Sequence, residues 1–223
     1  MLLVTLLASV AMAPQMPQGM TSYSLVLFKS TGKYVSPKSK KGQEMAAGQY
    51  ENLQRLATNH DMVFSASLDD RNFRGLAVLK NSNPEEAAAE FENDPFVKAG
   101  IFKVVATKWW TMQNAFKPVV APVEYEQAYF GILWSGKNAK PVSKEDGEKL
   151  QAGHMANINR MADFGLLKIA GPFENGGEMR GVLIFQSTDK GRIEREVAKD
   201  AAVNAGRLDL RLYKMKIGKG TIG

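Results

Sequence analysis

From residue 21 onward the chain is written twice, and no other feature constrains its fold as much. At a shift of 106 residues Tyr23 meets Tyr129 and Leu27 meets Leu133. At a shift of 105, Gly48, Asn52, Arg55 and Ala57 meet Gly153, Asn157, Arg160 and Ala162. The shift returns to 106 for Arg74-Gly75 against Arg180-Gly181, and for Asp94, Val97, Ala99 and Gly100 against Asp200, Val203, Ala205 and Gly206. The one-residue slips fall before the first helix and in a turn-rich stretch, where insertions cost little. Copies of roughly 100 residues are domain-sized, well beyond the unit of a solenoid. The chain is therefore a tandem duplication, with one unit over residues 21–112, a linker over 113–125 and a second unit over 126–223.

Each copy reads strand, helix, strand, strand, helix, strand. Tyr23–Phe28 and Tyr129–Trp134 are short aromatic and β-branched runs that end in loops containing Gly32 and Gly136. Met45, Gln49, Leu53 and Leu56 recur at helical spacing, as do Leu150, His154, Ile158 and Met161. Val63–Ala66 and Lys168–Ala170 open the second strands, and turns at Asp69–Asn72 and Glu174–Glu178 lead into Gly75–Lys80 and Gly181–Gln186. Asn83-Pro84-Glu85-Glu86 is a capped helix start, and Ile101–Trp109 and Leu208–Met215 supply the last strands. The order βαββαβ is a ferredoxin-like unit. The expected fold is α+β: two such units in tandem, their sheets packed face to face as a dimeric α+β barrel-like pseudo-dimer.

The helical stripe carries one misplaced polar residue in each copy. His154 sits among Leu150, Ile158 and Met161, and Gln49 holds the same place between Met45 and Leu53. A polar group on a buried helix face costs roughly 1–3 kcal/mol unless it is paired. Asp94 and Asp200 are the second oddity, because each follows a predicted helix at the negative end of its dipole, where a carboxylate is disfavoured. A His154–Asp200 pair would satisfy both anomalies, the carboxylate fixing the imidazole tautomer and leaving the far nitrogen to move a proton. The plainer alternatives are a satisfied core histidine and, for Asp94 before Pro95, a turn former. His60 stands in the place of Gly165 at the end of the first helix and reads as a cap or loop residue. Arg74 and Arg180 each precede a strand glycine and are candidates for an anion, or for a surface ion pair. Trp109-Trp110 ends a strand and reads as closing the core or the contact between copies.

Composition removes whole classes of chemistry. With no Cys and only two His in 223 residues, disulfide frameworks, thiol nucleophiles, iron–sulfur clusters and a three-His zinc site within one chain are out. No metal or cofactor is expected. The +6 net charge is modest and scattered, and neither a phosphate-cradling loop nor an RNA-binding aromatic motif is present. The expected partner is a small molecule rather than nucleic acid. Residues 1–13 (MLLVTLLASVAMA) are too short to span a bilayer but suit a secretory signal, with Ala11-Met12-Ala13 as a cleavage pattern. Against this, no Lys or Arg precedes the run. Residues 1–20 thus read as signal peptide and linker on a periplasmic or secreted protein, the alternative being a cytoplasmic one. No stable membrane insertion is expected, and a homo-oligomer stays open.

Several short motifs together resemble the YCII-related domain. In the second copy they are His154-x-x-Asn157-Ile158-x-x-Met161, then Gly165-x-Leu167-x-x-Ala170-Gly171-Pro172-Phe173. In the first they are Glu85-Glu86-Ala87, Asp94-Pro95-Phe96-x-x-Ala99-Gly100 and Trp109-Trp110. The resemblance covers roughly residues 22–110 and 128–216. It implies the dimeric α+β barrel, an active-site His–Asp pair, and kinship with a small dehydrochlorinase of chlorinated hydroxyquinols. Carried over by position, the pair is His154 and Asp200. Gln49 and Asp94 are the degenerate equivalents. Ala66-Ser67-Leu68 replaces Gly-Pro-Phe in the first copy, and Ala201 replaces the Pro after Asp in the second.

Two functional expectations follow. One is a small lyase or isomerase in which His154 is general acid/base, Asp200 orients it, and an apolar barrel pocket with Arg180 and Phe173 holds an aromatic or enol-like substrate. The other is an exported module that binds a small ligand without chemistry, its catalytic pair eroding. A monooxygenase of the same barrel class is a third option, unsupported by any haem or flavin signature.

Overall fold

A computed structural model describes residues 16–118, 123–137, 141–175 and 177–223. The apolar leader of residues 1–13 lies outside these. The first copy runs β1 (Met20–Ser30), α1 (Lys40–Thr58), β2 (Met62–Asp69), β3 (Phe73–Leu79), α2 (Pro84–Ala89), α3 (Pro95–Lys98) and β4 (Phe102–Met112). The second runs β5 (Tyr125–Ser135), α4 (Lys144–Asp163), β6 (Leu167–Pro172), β7 (Met179–Phe185), α5 (Lys190–Val197), α6 (Ala201–Asn204) and β8 (Leu208–Gly218). The second helix of each unit is thus broken in two: α2 and α5 end at the C-caps Glu90 and Ala198, and after a short turn Asp94 and Asp200 cap the next helix.

Local chemistry sets the helix ends. Ser39 caps α1 by accepting from the Gly42 N–H, and Ser143 caps α4 by accepting from the Asp146 N–H. At the far end of α1, His60 adopts φ 61°, the left-handed turn that Gly165 makes at 74° after α4. The expectation of a loop residue there is met.

The strands form one eight-stranded sheet in the order β4-β1-β3-β2-β8-β5-β7-β6. Its middle seam is short: β2 and β8 pair only through Ser67–Lys216, Leu68–Met215 and Asp69–Lys214. The two outer edges meet in turn. Trp109 bridges Phe173, the Trp109 indole N–H donates to the Gly171 carbonyl at 3.0 Å, and the Thr111 hydroxyl donates to the Ala170 carbonyl at 3.0 Å. By the repeat shifts, Leu68–Met215 is the counterpart of Phe173–Trp109. The two copies are therefore related by an approximate two-fold, and the sheet is nearly closed into the α+β barrel expected.

Strand alternation then assigns the layers. Leu25, Leu27 and Trp109 face Phe130, Ile184 and Met215 inside the barrel. Val26, Phe28, Leu56 and Phe91 fill the helix layer of the first copy, and Leu133, Ile158, Met161 and Phe185 that of the second. The strands β1 and β5 therefore correspond at a shift of 105, which pairs Leu133 with Phe28 rather than with Leu27. The barrel interior is a filled core of buried residues. Phe173, expected to line a substrate pocket of barrel residues, belongs to this core. The linker also does more than tether. Phe116 stacks on Phe64, contacts Tyr23 edge-on and bridges Ile222, so it plugs one end of that core.

Candidate functional site

Two side-chain pairs stand at equivalent places on the outer layer. In the second copy the His154 Nδ1 lies 2.7 Å from an Asp200 carboxylate oxygen. In the first, the Gln49 amide N–H donates to Asp94 at 3.0 Å. Repeated residues build both. Gly48 and Gly153 sit where α1 and α4 meet the short helices. A Cβ there would come within 2.8 Å of Pro95 or 2.6 Å of Ala201. Glycine thus permits the approach that puts each aspartate beside its partner.

Asn52 and Asn157 anchor the same helices one turn on, donating to the carbonyls of Glu90 and Glu196. Arg55 bonds both Asn52 and Glu90, and Arg160 bonds both Asn157 and Glu196, with ion-pair distances of 2.7 and 2.6 Å. Sequence reading aligned the Asn and Arg but missed Glu90 and Glu196, which the 106-residue shift also matches.

The reason expected for the aspartates needs correction. Asp94 and Asp200 are not carboxylates stranded at a negative helix end. Asp200 caps α6, one oxygen accepting from the Ala202 and Val203 N–H groups, and Asp94 caps α3 in the same way through Phe96 and Val97. The second oxygen of each is thereby left for Gln49 or His154. Burial pushes the Asp200 carboxyl up. The hydrogen bond from His154, the charge of its ring and the two backbone donors outweigh burial and hold the carboxyl below its ordinary value.

An ionised carboxylate only accepts, so the His154 Nδ1 must carry a proton toward Asp200. Its Nε2 is then the lone pair available to a reacting molecule. The His154 side chain is 14% exposed, while Asp200 behind it is buried. Gln49 keeps the hydrogen bond but has no second nitrogen of this kind, so the first copy cannot move a proton by imidazole chemistry here.

Neither of the other expected site residues shares a hydrogen bond or ion pair with this pair among the described residues. Phe173 follows directly on β6 and is buried in the core between the two copies, whereas His154 lies on α4 in the outer layer. It packs the core. Arg180 is exposed at the start of β7, where it donates to the Gly177 carbonyl at 3.4 Å. Trp109 is wholly buried at the seam, as its position suggested. Among the described residues, no group of three or more His, Cys, Asp or Glu is arranged to hold a metal ion. No helix of the described residues is long and apolar enough to cross a membrane.

Two adjoining hollows lie on the surface of the described residues at the first copy and the β2–β8 seam, and His154 lines neither. One, of about 480 Å³, lies over the outer face of β2 and β3 and reaches Gln49 on α1. The other, of about 550 Å³, adjoins it along the β2–β8 seam, between Asp69 and Glu126.

No family model and no curated protein matches the chain. Among solved structures, it is similar to a candidate chlorite dismutase at a TM-score of 0.58 and 8% identity, covering 88% of this chain and 94% of that one. It is similar to a chlorite dismutase variant from Candidatus Nitrospira defluvii at 0.56 and 9%, covering 88% and 90%. A haem-binding protein from Thermus thermophilus superposes at 0.54 and 11%, covering 89% and 91%. At these identities the likeness is one of fold: the chain has the dimeric α+β barrel architecture of chlorite dismutase-like proteins.

Proposed function

We propose that the chain is a small-molecule enzyme of the YCII type, a lyase or isomerase, in which His154 is the general acid/base and Asp200 its orienting partner. The observation that carries this reading is the 2.7 Å contact between the His154 Nδ1 and a carboxylate locked by two backbone N–H groups. A base held this way takes a proton through Nε2 from a carbon or hydroxyl of the substrate. It returns the proton as a leaving group departs or a double bond shifts. The substrate class is a small aromatic or enol-like molecule, with exposed Arg180 a candidate for its anionic group. The apolar leader supports a periplasmic or secreted location.

Haem, which one structural neighbour is described as binding, does not suit the surroundings of His154. The layer between α4 and the sheet is filled by Tyr129, Ile158 and Met161, with Leu208 packed against them. A second reading, a ligand-binding module without turnover, is favoured by Gln49 and by a hollow of about 480 Å³ that reaches Gln49 rather than His154.

The test is turnover of polyhydroxylated and halogenated aromatics by wild type and His154→Gln, with thermal shifts measured in parallel. The substitution copies the first repeat and keeps a donor for Asp200. The expected result is an unchanged fold and a turnover loss of about 100-fold or more. Stabilisation of both proteins by the same compound without turnover would establish the binding module instead.

A further inference from the structure

We infer that the first repeat carries a separate, non-catalytic site, a groove that binds a small aromatic carboxylate through Arg74 and Lys216. The groove is the hollow of about 480 Å³ beside Gln49, within the roughly 300–1,000 Å³ range of small-molecule sites. Phe28, Leu53 and Phe102 give it apolar walls, and the half-buried Phe102 ring, stacked on Phe96, extends an aromatic surface toward it.

Its charge is of one sign. Arg74 and Lys216 line it, and no carboxylate does. Among the described residues neither cation stands in an ion pair: Arg74 donates to the Asp70 carbonyl at 2.7 Å, and the Lys216 ammonium lies 4.5 Å from the centre of the Tyr125 ring. Asp94 stands behind Gln49 but is buried, its oxygens engaged by Gln49 and two backbone N–H groups. A guanidinium fork and an ammonium at the mouth of an apolar slot are the complement of a carboxylate on a ring.

The approximate two-fold shows that this groove is a property of one copy. Lys216 pairs with Ser67 at the β2–β8 seam. At the other seam the same register position is held by Trp110, which is 5% exposed. There the β4 and β6 backbones are pressed together so closely that a Cβ on Gly171 would fall on the Trp110 carbonyl oxygen. The place that Lys216 of the second repeat holds beside the Gln49 groove is thus held at the other seam by the indole of Trp110 from the first repeat. Gln49 retains the hydrogen bond that holds the groove's roof in place, without the chemistry.

The site is independent of the role given to His154, and 2-naphthoate titrated calorimetrically into the full chain tests it, with 2-naphthalenemethanol as the neutral match. Naphthoate is expected to bind once per chain. Arg74→Gln and Lys216→Met, both at exposed positions, should each weaken it about tenfold or more while the melting temperature holds. Lys216→Trp, which copies Trp110 of the first repeat at the other seam, should weaken both naphthoate and the alcohol, and His154→Gln should change neither. Absence of naphthoate binding, equal affinity in wild type and both cation variants, or loss on His154→Gln alone would overturn the proposal.

Discussion

Gln49 donates to Asp94 across 3.0 Å in the place where His154 meets Asp200 across 2.7 Å. The amide N–H does for the first aspartate what the imidazole Nδ1 does for the second. What differs is the remaining nitrogen. The two copies thereby separate the structural part of the pair from its chemical part, and substitutions between them can be read without disturbing the caps.

Gln49→His should therefore install a second dyad. The new ring should place its Nδ1 proton on Asp94, and a downfield Nδ1 proton in the NMR spectrum of the variant checks this. Its absence would mean that Asp94 does not engage the ring.

Asp200 makes the low-pH stability of the second copy testable. Its folded carboxyl lies below its ordinary value, which is about 3.9 in the unfolded chain. As the pH falls through that value the unfolded state takes up the proton first. The stabilisation is complete above about pH 4 and is lost as pH drops from there through the folded value. Wild type should lose melting temperature more steeply in this window than Asp200→Asn. Asp200→Ala, which removes the cap as well as the partner of His154, should cost about 2–4 kcal/mol at neutral pH, measured by urea unfolding.

The parts of this site visible in the sequence were those governed by periodicity. Helical spacing placed Gln49 and His154 on one stripe, and the repeat shift paired each with an aspartate. The cause assigned to Asp94 and Asp200 was mistaken because a four-residue helix leaves no periodic trace, so its N-cap looked like the frayed end of the helix before it. Alternation tells which face of each strand is apolar but not that the two inner faces join in one buried cluster. That is why Phe173 read as a site residue and lies in the core. The groove of the first copy was beyond reach for another reason: Arg74 and Lys216 belong to different repeats, and only the short β2–β8 seam brings them together.

Gly48 and Gly153 predict an unusual sign for a helix substitution. Glycine to alanine inside a helix normally stabilises by up to about 1 kcal/mol. Here the added Cβ would stand 2.8 Å from the Pro95 ring or 2.6 Å from the Ala201 Cβ, and neither neighbour can swing away. Gly153→Ala should therefore destabilise by about 1–3 kcal/mol and lengthen the His154–Asp200 bond. A downfield Nδ1 proton present in wild type and absent in the variant would report the second effect. A stabilised variant would show that α4 and α6 tolerate more separation than their packing indicates.

Trp109 carries the last prediction, because the two seams are closed by different means. The β2–β8 seam has a short antiparallel ladder, whereas at the other a wholly buried indole reaches across to the Gly171 carbonyl at 3.0 Å. Trp109→Phe keeps most of the apolar bulk but leaves that carbonyl without its side-chain donor, at a cost of about 1–3 kcal/mol. Trp109→Ala adds a cavity and should cost about 3–5 kcal/mol. The location of the damage is the sharper test. Amide hydrogen exchange in Trp109→Phe should rise at β4 and β6 while the β2–β8 ladder stays protected. Uniform loss of protection would instead mean that the barrel opens as one cooperative unit.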